Sequence, residues 1–95
     1  MTAYVIADIT VTNPDGYAPY RKLAAESIAQ HGGRFLARGG AVQGLEGGWT
    51  PTRVVIIEFP SIDAARKWYD SPEYQAALRI RLANSTGRVI MTEGM

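Results

Sequence analysis

Apolar and polar positions along the chain alternate between two periods. Residues Ala3–Val11 read AYVIADITV, rich in β-branched and aromatic side chains, with Asp8 and Thr10 on the same parity as Tyr4 and Ile6. That pattern predicts a strand. Thr12-Asn13-Pro14-Asp15-Gly16 breaks it, and Asn13 stands where a helix cap belongs, just before Pro14. Over residues 14–31 the period lengthens: Tyr17, Tyr20, Leu23, Ala24, Ile28 and His31 recur at helical spacing and predict one apolar face. Gly32 and Gly33 end this helix, one of them in the left-handed conformation. Arg34–Arg38 (RFLAR) predicts a second strand. Residues 39–52 hold five glycines, Gly39, Gly40, Gly44, Gly47 and Gly48, and predict a long irregular connection, extended at residues 42–45. Residues 53–59 then form a third strand. Ser61 and Ser71 are the caps of two helical pieces, 62–69 and 72–83, the second opened by Pro72. Asn84 and Gly87 mark a turn before a fourth strand over 88–92.

The order is βαββαβ, with the second helix split in two. It predicts an α+β domain of the ferredoxin-like kind, an antiparallel four-stranded sheet with helices on one face, occupying residues 1–95 as a single domain. A sheet covered on one side alternates apolar and polar residues. Val54-Val55-Ile56-Ile57 and Tyr4-Val5-Ile6-Ala7 are apolar on both parities. The uncovered face therefore needs a partner, and the expectation is a homodimer through the sheet face.

Composition narrows the functional classes. The net charge of +1 gives no basic field for nucleic acid. No apolar run reaches membrane-spanning length, no basic-then-apolar leader opens the chain, and a cytoplasmic location is expected. There is no cysteine and one histidine. Disulfides, thiolate zinc sites and cysteine nucleophiles are excluded, and no metal or cofactor is expected.

His31 has two readings: an acid/base group at a cleft edge, or a residue that suits the C-terminal helix dipole. Arg38 ends the second strand, with Leu36 on its face and Gly39-Gly40 behind it. It is read either as a bidentate carboxylate binder or as a strand-end ion pair with Glu46 or Asp8. Tyr17 and Trp68 are read as core. Tyr20 and Tyr74 carry hydroxyls that need partners when buried, which makes them pocket candidates. Trp49, in the glycine-rich connection, is read as a lid or a dimer contact. Ser71 has no histidine near it in sequence, so it is a cap and not a nucleophile. Asp63, Glu73, Arg66, Lys67, Arg79 and Arg81 are read as helix-end and surface charges.

As an ordered set, several pieces are familiar: Tyr17 and Tyr20; HGGRFLARGG (31–40); Leu45-Glu46-Gly47; VVIIEFPS (54–61); Ala64-Ala65 before Trp68-Tyr69; and SPEYQ (71–75) followed by Arg79 and Arg81. With them the chain resembles the domain-of-unknown-function 1330 family, within the dimeric α/β-barrel superfamily. The resemblance implies two ferredoxin-like subunits packed sheet against sheet. The superfamily includes cofactor-independent monooxygenases, haem-degrading enzymes, muconolactone isomerases and chlorite dismutases, which work in the cleft between the sheet and its own helices. A lone histidine and no cysteine weaken the haem roles. Two functions are expected in parallel. The first is a cofactor-independent enzyme, monooxygenase- or isomerase-like, acting on a small acidic or aromatic molecule, with His31 and Arg38 catalytic and Tyr20, Arg38, Trp49 and Tyr74 binding. The second is a non-catalytic dimeric module that binds a small molecule or stabilises a partner.

Overall fold

Burial alternates along the first strand, and that alternation sets the layering. In the computed structural model, which describes residues 1–95, β1 (Ala3–Val11) buries Ala3, Val5, Ala7 and Ile9 and leaves Tyr4, Ile6 and Asp8 half-exposed. The chain continues as α1 (Pro14–Gln30), β2 (Arg34–Arg38), β3 (Val54–Phe59), α2 (Ile62–Asp70), α3 (Pro72–Asn84) and β4 (Ser85–Glu93). The strands form one antiparallel sheet in the order β2-β3-β1-β4. This is the ferredoxin-like α+β fold. Val5 lies opposite Ile57 and Met91, on the helix side; Ile6 lies opposite Ile56 and Ile90, on the other. No helix is long and apolar enough to cross a membrane.

The core gathers around Trp68. Its ring lies 4.1 Å from that of Tyr74 and 5.2 Å from that of Phe59, and its Nε1 donates to Ser27 Oγ at 3.0 Å. Ser27 passes its own proton to the Ala24 carbonyl at 2.8 Å. The indole N–H is thus satisfied inside the core, which an apolar residue at position 27 would not allow. Ser27 takes an inward place that the α1 stripe assigned to its neighbours, while Leu23 is 40% exposed.

Both serine caps form. Ser61 Oγ accepts from the Ala64 N–H at 3.1 Å. Ser71 Oγ accepts from the Tyr74 N–H at 3.2 Å and donates to the Trp68 carbonyl at 2.7 Å, so one hydroxyl closes α2 and opens α3. Gly32, with φ of 78°, supplies the left-handed residue after α1.

Three local expectations are corrected. No turn separates α3 from β4: the strand starts at Ser85, and Gly87 lies inside it opposite Ile9. The Asn84 carbonyl accepts the N–H groups of Thr12 and Asn13, which ties this junction to the start of α1. A β carbon at Gly87 would strike the Asp8 carbonyl, so the glycine serves close strand approach. Asn13 precedes α1, but its side chain does not cap the helix; Nδ2 donates instead to Asn84 Oδ1 at 3.0 Å. Residues 42–45 are not a strand; nothing from 39 to 53 has regular structure.

Candidate functional site: a cleft between the helices and the sheet

Inward residues of β1, β3 and β4, among them Ile9, Val55 and Val89, floor a cleft roofed by α1 and α3. Into this apolar space come three tyrosines and four arginines: Tyr17, Tyr20 and Arg21 from α1, Tyr74 and Arg81 from α3, Arg38 from the end of β2 and Arg53 from just before β3.

Arg38 reaches the cleft because β2 is irregular. Simple alternation puts Arg34, Leu36 and Arg38 on one face. The register slips between Phe35 and Ala37: Arg34 pairs with Glu58, Phe35 with Ile57, and Arg38 with Val55. The extra residue flips the end of the strand, so Arg38 joins Phe35 on the helix side. Its guanidinium lies 4.3 Å over the Phe35 ring, and Nη2 donates weakly to the Arg21 carbonyl at 3.5 Å. The expected partners are taken or remote. Asp8 pairs with Arg88 at 3.4 Å, and Glu46 makes no ion pair.

At the inner end, the Tyr20 and Tyr74 hydroxyls lie 2.9 Å apart with rings edge to face. One hydroxyl donates to the other, which leaves one phenolic proton free to donate elsewhere. Burial first, then the neighbouring Tyr74, pushes Tyr20 far above the ordinary phenol value, so it stays protonated. Arg81 is only 6% exposed, and its Nε has no hydrogen-bond partner. Burial works against its charge, but the oxygens of Tyr74 and Tyr20 outweigh burial and hold its pKa above the usual value. The guanidinium is a permanent cation at the inner end of the cleft.

Arg53 Nε is likewise buried and unpartnered. Its side chain runs across Gly39, where φ is 74° and any β carbon would collide with the guanidinium. That glycine therefore serves both the backbone and the arginine. None of Arg21, Arg38, Arg53 and Arg81 forms an ion pair, and no carboxylate lines the cleft. The free space is about 40 Å³, enough for a few waters.

Of the residues singled out from the sequence, the fold brings together Tyr20, Tyr74 and Arg38. It places the others elsewhere. His31 follows α1 outside the cleft lining, with Nε2 3.9 Å from Glu73 Oε2, which suits the helix-end reading. Trp49 lies on the opposite face of the sheet, in a hollow with Ile6, Asp8, Arg88 and Ile90. Three arginines were missed: Arg21, Arg53 and Arg81. Arg81, taken for a surface charge, shares a stripe with Tyr74, Ala77 and Leu78, the buried positions of α3. That helical spacing carried the signal: a charge in an apolar stripe. Arg53 had no such mark, since only the folded chain lays it over Gly39. No three histidine, aspartate or glutamate side chains gather closely enough to hold a metal ion.

A ferredoxin-like sheet whose helices roof an arginine-rich apolar cleft defines the class. The chain belongs to the family described as Domain of unknown function (DUF1330), whose model matches residues 2–95. No curated protein matches the chain. Among solved structures it is similar to a protein of unknown function from Rhodopseudomonas palustris, at 18% identity over 99% of this chain and 82% of that one, TM-score 0.81. SnoaB, a cofactor-independent oxygenase from Streptomyces nogalater, is 19% identical over 99% and 92% of the two chains, TM-score 0.66. A dimeric ferredoxin-like protein of unknown function from Jannaschia sp. CCS1 is 12% identical over 99% and 100%, TM-score 0.73.

Proposed function

We propose that this chain is a homodimeric enzyme that works without a bound cofactor on a small acidic molecule held in the sheet–helix cleft. The observation that carries the reading is Arg81, a buried cation with no carboxylate beside it, next to the hydrogen-bonded pair Tyr20 and Tyr74. A buried unpaired charge is costly, and a bound anion removes the cost. In the reaction, Arg81 and the free phenolic proton stabilise negative charge as it builds on a substrate oxygen. Arg38, at the mouth, draws the acid in. The cleft has donors and no base: Tyr20 holds its proton, and no carboxylate or histidine lines the space. That inventory suits substrates acidic enough to lose a C–H proton to water and stand as a stabilised enolate; the enolate takes a proton back at another carbon, or itself reduces dioxygen, the methylene becoming a carbonyl with one oxygen atom and the other leaving as water. These are the isomerase-like and monooxygenase-like options. SnoaB, a structural neighbour described as a cofactor-independent oxygenase, lends the second option support.

The second copy covers the outer face of the sheet, where Ile6, Ile56 and Ile90 form an apolar strip and Trp49 is 58% exposed. Structural neighbours described as dimeric ferredoxin-like proteins support this. Light scattering at micromolar concentration checks it, and a monomeric mass sinks it. A cytoplasmic location belongs to the same reading and is checked by cell fractionation.

One observation favours a second reading, a non-catalytic module that stabilises a partner: the 40 Å³ of free space admits no metabolite unless side chains move. A thermal-shift screen of small aromatic and carboxylic acids, run on wild type, Arg38→Ala and Arg81→Met, separates the cases. A ligand that raises only the wild-type midpoint places an acid in the cleft. Product formation or dioxygen uptake with that ligand makes the chain an enzyme; binding without turnover makes it a module. No shift with any acid overturns acid binding and leaves the module that stabilises a partner.

A further inference from the structure

We propose that the ligand of this cleft carries two anionic groups on one apolar skeleton, a small dicarboxylate held by Arg81 at one end and Arg53 at the other. The proposal rests on the acid-binding reading above and names its substrate class. Two guanidiniums, not one, have a buried Nε without a partner. They come from different elements, the last turn of α3 and the residue preceding β3, and they line one cleft. They are also separate poles. They enter from opposite sides of β1: Arg53 precedes β3 on one side, and α3 leads into β4 on the other. Arg53 lies over Gly39, and Arg81 shares the inward stripe of α3 with Tyr74. Apolar side chains, including Ile9, Val55 and Val89, line the same space and contribute no charge.

Each orphaned Nε needs an acceptor, and a carboxylate supplies it, with a counter-charge, through two parallel N–H···O bonds. A monocarboxylate meets that need at one pole only. The remaining lining is apolar, so the skeleton between the two acids is hydrocarbon or aromatic. Entry requires side chains to move, the exposed Arg38 among them. Arg38 is held by its stack on Phe35 and one long contact to the Arg21 carbonyl.

The test compares acids that share a skeleton: hexanoate with adipate, and benzoate with isophthalate. Each is titrated by calorimetry at low salt into wild type, Arg53→Gln and Arg81→Met, with circular dichroism confirming that the variants fold. One of the two diacids should bind wild type at least about tenfold tighter than its monoacid, the worth of one extra charge-assisted contact. Arg53→Gln should abolish that advantage, bringing the diacid to the affinity of its monoacid. Equal affinity of monoacid and diacid in wild type, with binding lost in Arg81→Met, overturns the dianion and leaves the acid site standing. An advantage that survives Arg53→Gln overturns the assignment of the second pole. No binding by any of the four acids overturns the acid site and this inference together.

Discussion

On the outer face of the sheet, Asp8 sits 3.4 Å from Arg88 and Glu58 sits 2.9 Å from Arg34. On the inner face Arg21, Arg38, Arg53 and Arg81 meet no carboxylate at all. Both faces also carry apolar side chains. The outer face has balanced its own charges, and what it leaves unmet is hydrophobic. A second copy of the same surface would satisfy that need, as proposed above. The inner face has satisfied its hydrophobic need by packing under the helices, and what it leaves unmet is positive charge. A small anion would satisfy that, as proposed above. One sheet thus presents two unfinished surfaces of opposite kind, and net charge hides the fact, since the whole chain sums to +1.

The two tryptophans give the widest contrast between the faces. Trp68→Ala should cost about 3–5 kcal/mol in urea denaturation, because it empties the middle of a packed core. Trp49→Ala should change monomer stability by no more than about 0.5 kcal/mol and show its effect in the dimer dissociation constant. Equal losses from the two would erase the distinction.

Next in size, Arg81→Met should raise the unfolding free energy of the ligand-free protein by about 1–3 kcal/mol, since an apolar side chain replaces a buried unpaired charge. The same variant should lose acid binding. A drop in stability would show that water or the tyrosine pair already satisfies the guanidinium.

Tyr20→Phe tests the inner end through pH. Below the ordinary tyrosine value of 10.0 the variant should lose about 0.5–1.5 kcal/mol, the worth of the hydrogen bond to Tyr74. Burial and Tyr74 raise the Tyr20 value in the folded state. Above pH 10 the unfolded chain therefore releases this proton while the folded chain keeps it, and stability falls as pH rises. The alkaline fall should be shallower in Tyr20→Phe than in wild type, as read from melting temperatures across that range.

The smallest effect belongs to the outer face. Arg88→Ala removes one partner of an exposed pair and should cost under about 1 kcal/mol, with no change in acid binding. A loss of binding there would mean that the two faces are coupled.

The sequence by itself determined the elements and their order. The alternation in Ala3–Val11, the period of α1, and the serines and prolines at the helix starts act within a few residues, so they are legible without the fold. Tyr20 and Tyr74 were legible as candidates for the same reason: an aromatic in an apolar stripe brings a hydroxyl that must be satisfied. The tertiary structure alone decided what faces what. A one-residue slip in β2 turned Arg38 from the outer face to the inner. The long connection laid Arg53 over Gly39 and buried its Nε, and the seat of α3 on the sheet made Arg81 a core cation rather than a surface charge. Each is a long-range event, in which burial and charge compensation are set by side chains far away in sequence. The loop that carries Trp49 to the opposite face belongs with them. Local propensity fixes where the chain bends and coils. Only the packed molecule shows which charges have been left without a partner.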